Sequence, residues 1–206
     1  MSAILIENPP MVRESFPIIE LEFGNLLKDL DANEFFEFCQ ENREWRIERD
    51  REGQITIMTP TGWSTGKKNI EIARQLANWT KKDGRGECAS SSTGYELPDG
   101  AIFSPDASWI LKDRLDTLEP EQLAKFLPLC PDFVIELRSK TDNLQHARKK
   151  MGQYIENGAS LGWLIDPPES KVYIYNAEGF QELAKPDSVS GEPFMPGFVL
   201  DLTEIW

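Results

Sequence analysis

Residues 131–154 read PDFVIELRSKTDNLQHARKKMGQY. The run from Asp132 to Leu137 predicts a short buried strand. A polar turn follows, then a helix from roughly Asn143 to Asn157 with Gly158 as its stop signal. Alternation places Phe133, Ile135 and Leu137 on one face of the strand, and Asp132, Val134, Glu136 and Arg138 on the other. An acid in the middle of so apolar a strand is costly to bury unless it is paired or binds a metal. Two readings stay open for Glu136: an ion pair with Arg138 or a solvated strand end, and a ligand role. At roughly 100° per residue, Leu144, Ala147, Met151, Tyr154 and Ile155 share one arc of the helix. Lys150 sits at the edge of that arc and can reach the sheet, or can snorkel with its stem on the core and its head in water. Lys149 points away, and Gln153 lies beyond Lys150, farther from the core.

Outward from this stretch, helices alternate with strands. Residues 1–28 are expected to form an irregular arm, and residues 29–206 a single domain. Asp31 is the expected cap of a helix that buries Phe35, Phe36, Phe38 and Cys39. Trp45 and Ile47 begin a strand, Glu52-Gly53 makes a turn, and Ile55, Ile57 and Met58 form the return strand. Ser64 or Thr65 is expected to cap a helix to about Lys82, with Ile70, Ala73, Leu76, Ala77 and Thr80 inward. ECASSSTGYEL and AIFSPDASWIL read as strands joined at Pro98-Asp99-Gly100. LGWLID, KVYIYN and FQELA are further strands, and PFMPGFVLDLTEIW ends in a strand with Leu200 and Leu202 on one side. The expectation is an α/β (mixed α+β) domain, with a mixed sheet flanked by helices.

The bulk numbers narrow the function classes. With 206 residues and 40% hydrophobic content the chain can build a sizeable core. A formal charge of −13 argues against coating nucleic acid non-specifically, because neutralising phosphates needs surplus Lys and Arg. An acidic site loaded with metal, or a small basic groove on an acidic body, can still accept DNA. Cys39, Cys88 and Cys130 have no paired spacing and read as reduced thiols. One histidine, His146, excludes multi-histidine metal sites; it reads as an exposed helix residue. No secretory leader or membrane span is read, so a cytoplasmic protein is expected.

Pro98-Asp99, Pro131-Asp132 and Pro186-Asp187 read as turns or caps. Pro105-Asp106 opens a strand and places a carboxylate on the sheet. Glu71 falls outside the apolar arc of its helix, where a solvated glutamate is the simpler reading. Trp63, Trp79, Trp109 and Trp163 read as core or interface residues.

The hairpin ending in MTPTG, the helix with NIEIARQL, the runs YELPDGAIFSPDASWI and VIELRS, and KMGQYIENGASLGWLIDP together resemble the Uma-type family of restriction endonucleases. That family lies within the PD-(D/E)XK nuclease superfamily. The resemblance covers roughly Phe35 to the end, PGFVLDLTEIW included. It implies a restriction-endonuclease-like core and a Mg²⁺ or Mn²⁺ site on Asp106 and Glu136. It also implies Lys150 as the catalytic lysine and Glu71 as a supporting acid from the first long helix. Arg138 stands where the superfamily usually has its lysine, and Lys140 where many relatives have proline. The implied activity is metal-dependent DNA endonuclease, with a homodimer the simplest way to cut both strands. The alternative is a catalytically silent nuclease fold acting as a binding or interaction module. A third reading, an unrelated acidic scaffold, has only the composition in its favour.

Overall fold

A computed structural model describes the backbone of residues 19–21, together with residue 27 and residues 29–206. In chain order the elements are β1 (Ile19–Leu21), α1 (Ala32–Glu41), β2 (Arg46–Arg49), β3 (Ile55–Met58), α2 (Trp63–Asp83) and β4 (Gly86–Ser90). Next come β5 (Tyr95–Glu96), β6 (Ile102–Phe103), β7 (Ala107–Leu111), α3 (Lys112–Leu115), α4 (Pro120–Leu123) and β8 (Phe133–Leu137). The chain then forms α5 (Leu144–Glu156), β9 (Leu161–Asp166), β10 (Lys171–Asn176), β11 (Gly179–Ala184), β12 (Ser188–Ser190) and β13 (Val199–Asp201).

The central sheet has six strands in the order β11-β10-β9-β8-β7-β4. Only β8 and β9 run parallel, Phe133 opposite Leu161 through Leu137 opposite Ile165. Parallel neighbours need a crossover, and α5 supplies it. Asn143 starts α5 by accepting from the backbone N–H groups of Gln145 and His146, and Gly158, with φ of 105°, follows its end. A second, antiparallel sheet has the order β1-β3-β2-β6-β5.

The predicted alternation of β8 holds. Phe133, Ile135 and Leu137 pack with Trp163 and Ile165, with Ile72 and Leu76 of α2, and with Phe198, Leu200 and Leu202 near the C-terminus. Val134 on the other face packs with Met151 and Tyr154 of α5, Leu164 and Tyr173. A third cluster joins Phe35 of α1 to Ile47, Ile55 and Ile102 of the second sheet. As expected, Asp31 caps α1; it accepts from the N–H groups of Asn33 and Glu34, and Glu34 accepts in return from that of Asp31.

Several expectations change. Part of the expected N-terminal arm is strand: β1 pairs with β3, Ile19 opposite Ile57. Most of residues 1–28 lie outside the described residues. The runs around Pro98-Asp99-Gly100 are four short strands, β4 and β7 in one sheet and β5 and β6 in the other. In α2 the buried row is Ile72, Leu76 and Thr80, one residue every four, while Ile70 is 68% exposed. Thr80 is inward as expected, but polar Asn69 on the inner side interrupts the apolar arc, which tilts a reading by hydrophobicity toward Ile70. Trp109 and Trp163 are core residues, but Trp63 is 88% exposed. The apolar C-terminal tail is packed inside: Leu200, Leu202 and Ile205 are fully buried. Among the described residues no helix is long and apolar enough to cross a membrane.

Candidate active site

The two sheets meet where β2 approaches the ends of β7 and β8, with α5 alongside. Charged side chains concentrate at this junction. The Lys150 ammonium lies 2.7 Å from Glu136 Oε1 and 2.9 Å from Glu48. Glu48 is in turn 3.5 Å from Arg46, and Arg46 is 3.4 Å from Asp106. Arg46 also donates to the carbonyl of Ser104, just before Asp106. Tyr154 Oη donates to Glu136 across 3.2 Å. The result is a continuous chain: Asp106, Arg46, Glu48, Lys150, Glu136, Tyr154.

Each position follows from local structure. Glu136 is on the α5 side of β8, the face its alternation predicts. Lys150 lies one turn before Tyr154 on α5, and is buried because both residues face the sheet. Its ammonium sits 5.3 Å from the Phe103 ring centre and 5.9 Å from that of Tyr154. Asp106 is fixed by the Leu137 N–H, which donates to Oδ2 at 2.9 Å, so the end of β8 holds the acid that opens β7. Asn69 of α2 approaches Oδ1 at 3.5 Å.

Burial sets the electrostatics. It pushes the Glu136 carboxyl up to about 7; Lys150 pulls it down, while Asp106 and Glu48 push it up again. Burial also lowers Lys150, yet the Glu136 and Glu48 carboxylates outweigh it and hold the ammonium above the ordinary lysine value. The lysine is therefore a permanent cation at neutral pH and a donor rather than a base. Asp106, Glu48 and Glu136 also raise Arg46 against its own burial. Asp106, Arg46 and Glu48 thus all act on Glu136, which places the acids of two sheets in one electrostatic neighbourhood.

Residues 32–203 match the model of a family named Uma2 and described as "Putative restriction endonuclease". The chain belongs to the Uma2 family. Among solved structures it is similar to the crystal structure of "a putative nuclease belonging to DUF820" from Anabaena variabilis. The TM-score is 0.70 at 21% identity, over 85% of this chain and 97% of that one. That likeness carries the fold, and bears out the expected mixed α/β nuclease architecture. No curated protein matches the chain.

In this Uma2 chain Asp106, Glu136 and Lys150 come into one network, but Glu71 does not join it. Its carboxylate accepts from Arg74 at 2.8 Å and from Gln75 at 2.9 Å. It lines an open cavity of about 440 Å³ between α2 and β13, with Asp201 and Glu204. The inward phase of α2 belongs to Ile72, so its neighbour Glu71 turns aside, and Asn69 is the residue of α2 that reaches Asp106.

Arg138 also leaves the site. It forms a buried pair with Asp166 at 2.8 Å and donates to the Asp142 carbonyl at 3.0 Å. Gln153, expected to lie outside, is 2% exposed. Lys149 does point away from the core, and is held by Asp50 and Glu52, each at 3.1 Å. Glu48 and Arg46 are the residues that sequence reading missed. Their signal was the run WRIERD, where a glutamate lies between two arginines in a strand; such a run usually marks a solvated edge.

The donor set can be tested against a divalent cation. Among the described residues no three His, Cys, Asp or Glu side chains form a group that could hold a metal ion. Mg²⁺, however, keeps several of its waters and is commonly held by one or two carboxylates. Asp106 and Glu136 are the hard-oxygen donors nearest that description, and each already faces a cation, Arg46 at 3.4 Å and Lys150 at 2.7 Å. By donor chemistry alone, two carboxylates suit a largely hydrated ion rather than an all-protein cage.

Proposed function

We propose that this protein is a Mg²⁺-dependent DNA endonuclease, with Asp106 and Glu136 as ion ligands and Lys150 as the catalytic cation. The observation that carries the reading is the clamped ammonium: buried, protonated, and held from opposite elements by Glu48 of β2 and Glu136 of β8. When bound, the ion would lower the pKa of a water and polarise a phosphoryl oxygen. Asp106 and Glu136 would hold it through oxygen ligands.

Lys150 donates to the attacking water or to the phosphoryl oxygens as negative charge builds on them. Glu48 keeps the ammonium in place when Glu136 is engaged elsewhere, and is thus a positioning residue. Arg46 balances Asp106 and Glu48 in the free protein. In the reaction the water oxygen bonds to phosphorus, one phosphoester bond breaks, the water proton leaves to solvent, and the departing alkoxide takes up a proton. Mn²⁺ is the expected substitute, and a homodimer with one site per strand the expected assembly.

The test is cleavage of plasmid and branched DNA with added Mg²⁺ or Mn²⁺, together with Mn²⁺ binding followed by calorimetry. Asp106→Asn and Glu136→Gln should each lower cleavage about a hundredfold or more and weaken Mn²⁺ binding. Equal cleavage by these variants would remove the proposed site. The second reading, a silent nuclease fold that acts as a binding module, is favoured by the saturation of the three acids with Arg46 and Lys150. It prevails if the wild type neither binds Mn²⁺ nor cuts any of these substrates.

A further inference from the structure

Arg46 of β2 touches both an expected ion ligand and the acid that clamps Lys150. Its two carboxylate contacts are long, 3.4 Å to Asp106 Oδ1 and 3.5 Å to Glu48. Arginines whose pairs fasten the fold sit closer to their acids: Arg138 is 2.8 Å from Asp166, and Arg114 2.7 Å from Asp132. Charge-assisted N–H···O bonds settle at about 2.7–2.9 Å. The firm bond of Arg46 goes to the Ser104 carbonyl instead. That carbonyl anchors one end of the guanidinium fork, while the other end leans on Asp106 without being tied to it. The Nε–H is buried without an acceptor. A guanidinium with one anchor, two loose contacts and an unused donor can change partners without leaving the site.

Exposure points the same way. The Arg46 side chain is 28% exposed, while Glu136, the next most open member of the charged chain, is 13% exposed. Arg46 is therefore the part of the network that an approaching polyanion meets first. Asp106 is asymmetric in a matching sense. Its Oδ2 is fixed by the Leu137 N–H at 2.9 Å, whereas Oδ1 has only Arg46 and the Asn69 amide, the latter at 3.5 Å. An ion that takes Oδ1 meets the Arg46 charge there, and two cations at one carboxylate oxygen repel. We propose that Arg46 is a phosphate-binding residue, held on Asp106 in the free protein and released to an oxygen of the reacting phosphate when an ion takes Asp106. The inference rests on the nuclease reading above. A planar fork of N–H donors suits phosphate oxygens. Ion and DNA then favour each other, because the ion frees the guanidinium and the phosphate gives it a new partner.

Two binding readouts on the full chain test this beside cleavage: calorimetry of Mn²⁺, and anisotropy of a short labelled DNA duplex with and without Ca²⁺. Arg46→Gln should bind Mn²⁺ about tenfold more tightly, because the guanidinium charge no longer opposes the ion at Asp106. The same variant should cut DNA about ten- to a hundredfold more slowly, the cost of one charge-assisted hydrogen bond. Ca²⁺ should strengthen DNA binding by the wild type and much less by Arg46→Gln, since the coupling runs through the guanidinium. Arg46→Lys keeps the charge without the fork, and should return Mn²⁺ affinity to the wild-type value while recovering only part of the cleavage. Arg51→Gln, which removes a surface arginine paired with Glu156, should match the wild type in all three. If Arg46→Gln binds Mn²⁺ no more tightly, or cuts DNA at the wild-type rate with the Ca²⁺ effect intact, the role of Arg46 is wrong and the nuclease reading stands. If the wild type neither binds Mn²⁺ nor cuts DNA, both fall together.

Discussion

Lys150 shows how one buried cation organises a site. Its ammonium is the shared partner of two carboxylates that would otherwise be buried side by side. Lys150→Met should therefore cost about 3–5 kcal/mol, the range for removing one partner of a buried pair. The cost should depend on pH with a definite sign. Glu136 already titrates at about 7 in the folded state, above its unfolded value, so its contribution to stability is fullest at low pH and is lost as pH rises through 7. Without the ammonium, burial and the Asp106 and Glu48 charges act unopposed by Lys150, and that value rises further. Urea unfolding at pH 5 and pH 8 should show the variant destabilised far more at pH 8; an equal loss at both would refute the coupling. Arg138 supplies a contrast. Arg138→Met leaves Asp166, with no exposed side-chain surface, without its cation, and should also cost about 3–5 kcal/mol. Cleavage per folded molecule should be kept, because Arg138 touches neither Asp106 nor Glu136 in the network.

At the scale of elements, two glycines that look alike in sequence should respond very differently. A Cβ at Gly86 of β4 would lie 2.3 Å from the Trp109 ring and 2.5 Å from the Ile110 carbonyl. Trp109 is fully buried and packed against Trp79 and Phe194, so nothing there can yield. A Cβ at Gly162 of β9 would meet the Met151 methyl at 2.5 Å, the far end of a flexible chain. Gly86→Ala should cost about 3 kcal/mol or more, and Gly162→Ala about 1 kcal/mol; thermal unfolding ranks the two. Element reading from sequence succeeded where one signal acted alone. The Asp31 cap, the start of α5 near Asn143, the alternation of β8 and the arc of α5 were all legible. The expected Ser64 or Thr65 cap of α2 was not found: that helix starts after Gly62 with no side-chain cap. In α2 it failed in part, because an arc read by hydrophobicity cannot see that Asn69 is inward and Ile70 outward. That misphasing hid Asn69, whereas Glu71, which phase alone placed outside the arc, entered the expected site only through the family resemblance.

For the whole molecule, burial of weak acids sets an alkaline limit. Burial pushes the Cys39 thiol up to about 11, Cys130 to about 12 and the Tyr95 hydroxyl to about 12. Each folded value exceeds the unfolded one, so each contribution is complete below about pH 8.5–10 and is lost as pH rises toward the folded value. Cys130 alone can account for about 4 kcal/mol of that loss, at about 1.4 kcal/mol per unit. Stability should be flat near pH 8 and fall steeply from pH 9 to 12, and Cys130→Ala should flatten the fall. An unchanged slope in that variant would show that Cys130 does not stay neutral in the core.

The sequence by itself determined the local features: which residue caps α1, where α5 begins, which face of β8 carries Glu136, and that Lys150 rather than Lys149 reaches inward. These follow from periods of two and 3.6 residues that need no partner to be read. Only the tertiary structure decided what Lys150 is held by. Glu48 and Glu136 are far apart in sequence and belong to different sheets, which meet through the apolar cluster that joins Tyr95 and Phe103 to Val134, Met151 and Tyr154. The same packing drew Arg138 away to Asp166 and turned Glu71 toward Arg74. What the sequence offered as an acid and a base two residues apart became a lysine clamped between two acids, because burial makes a charge choose the partner that packing brings nearest.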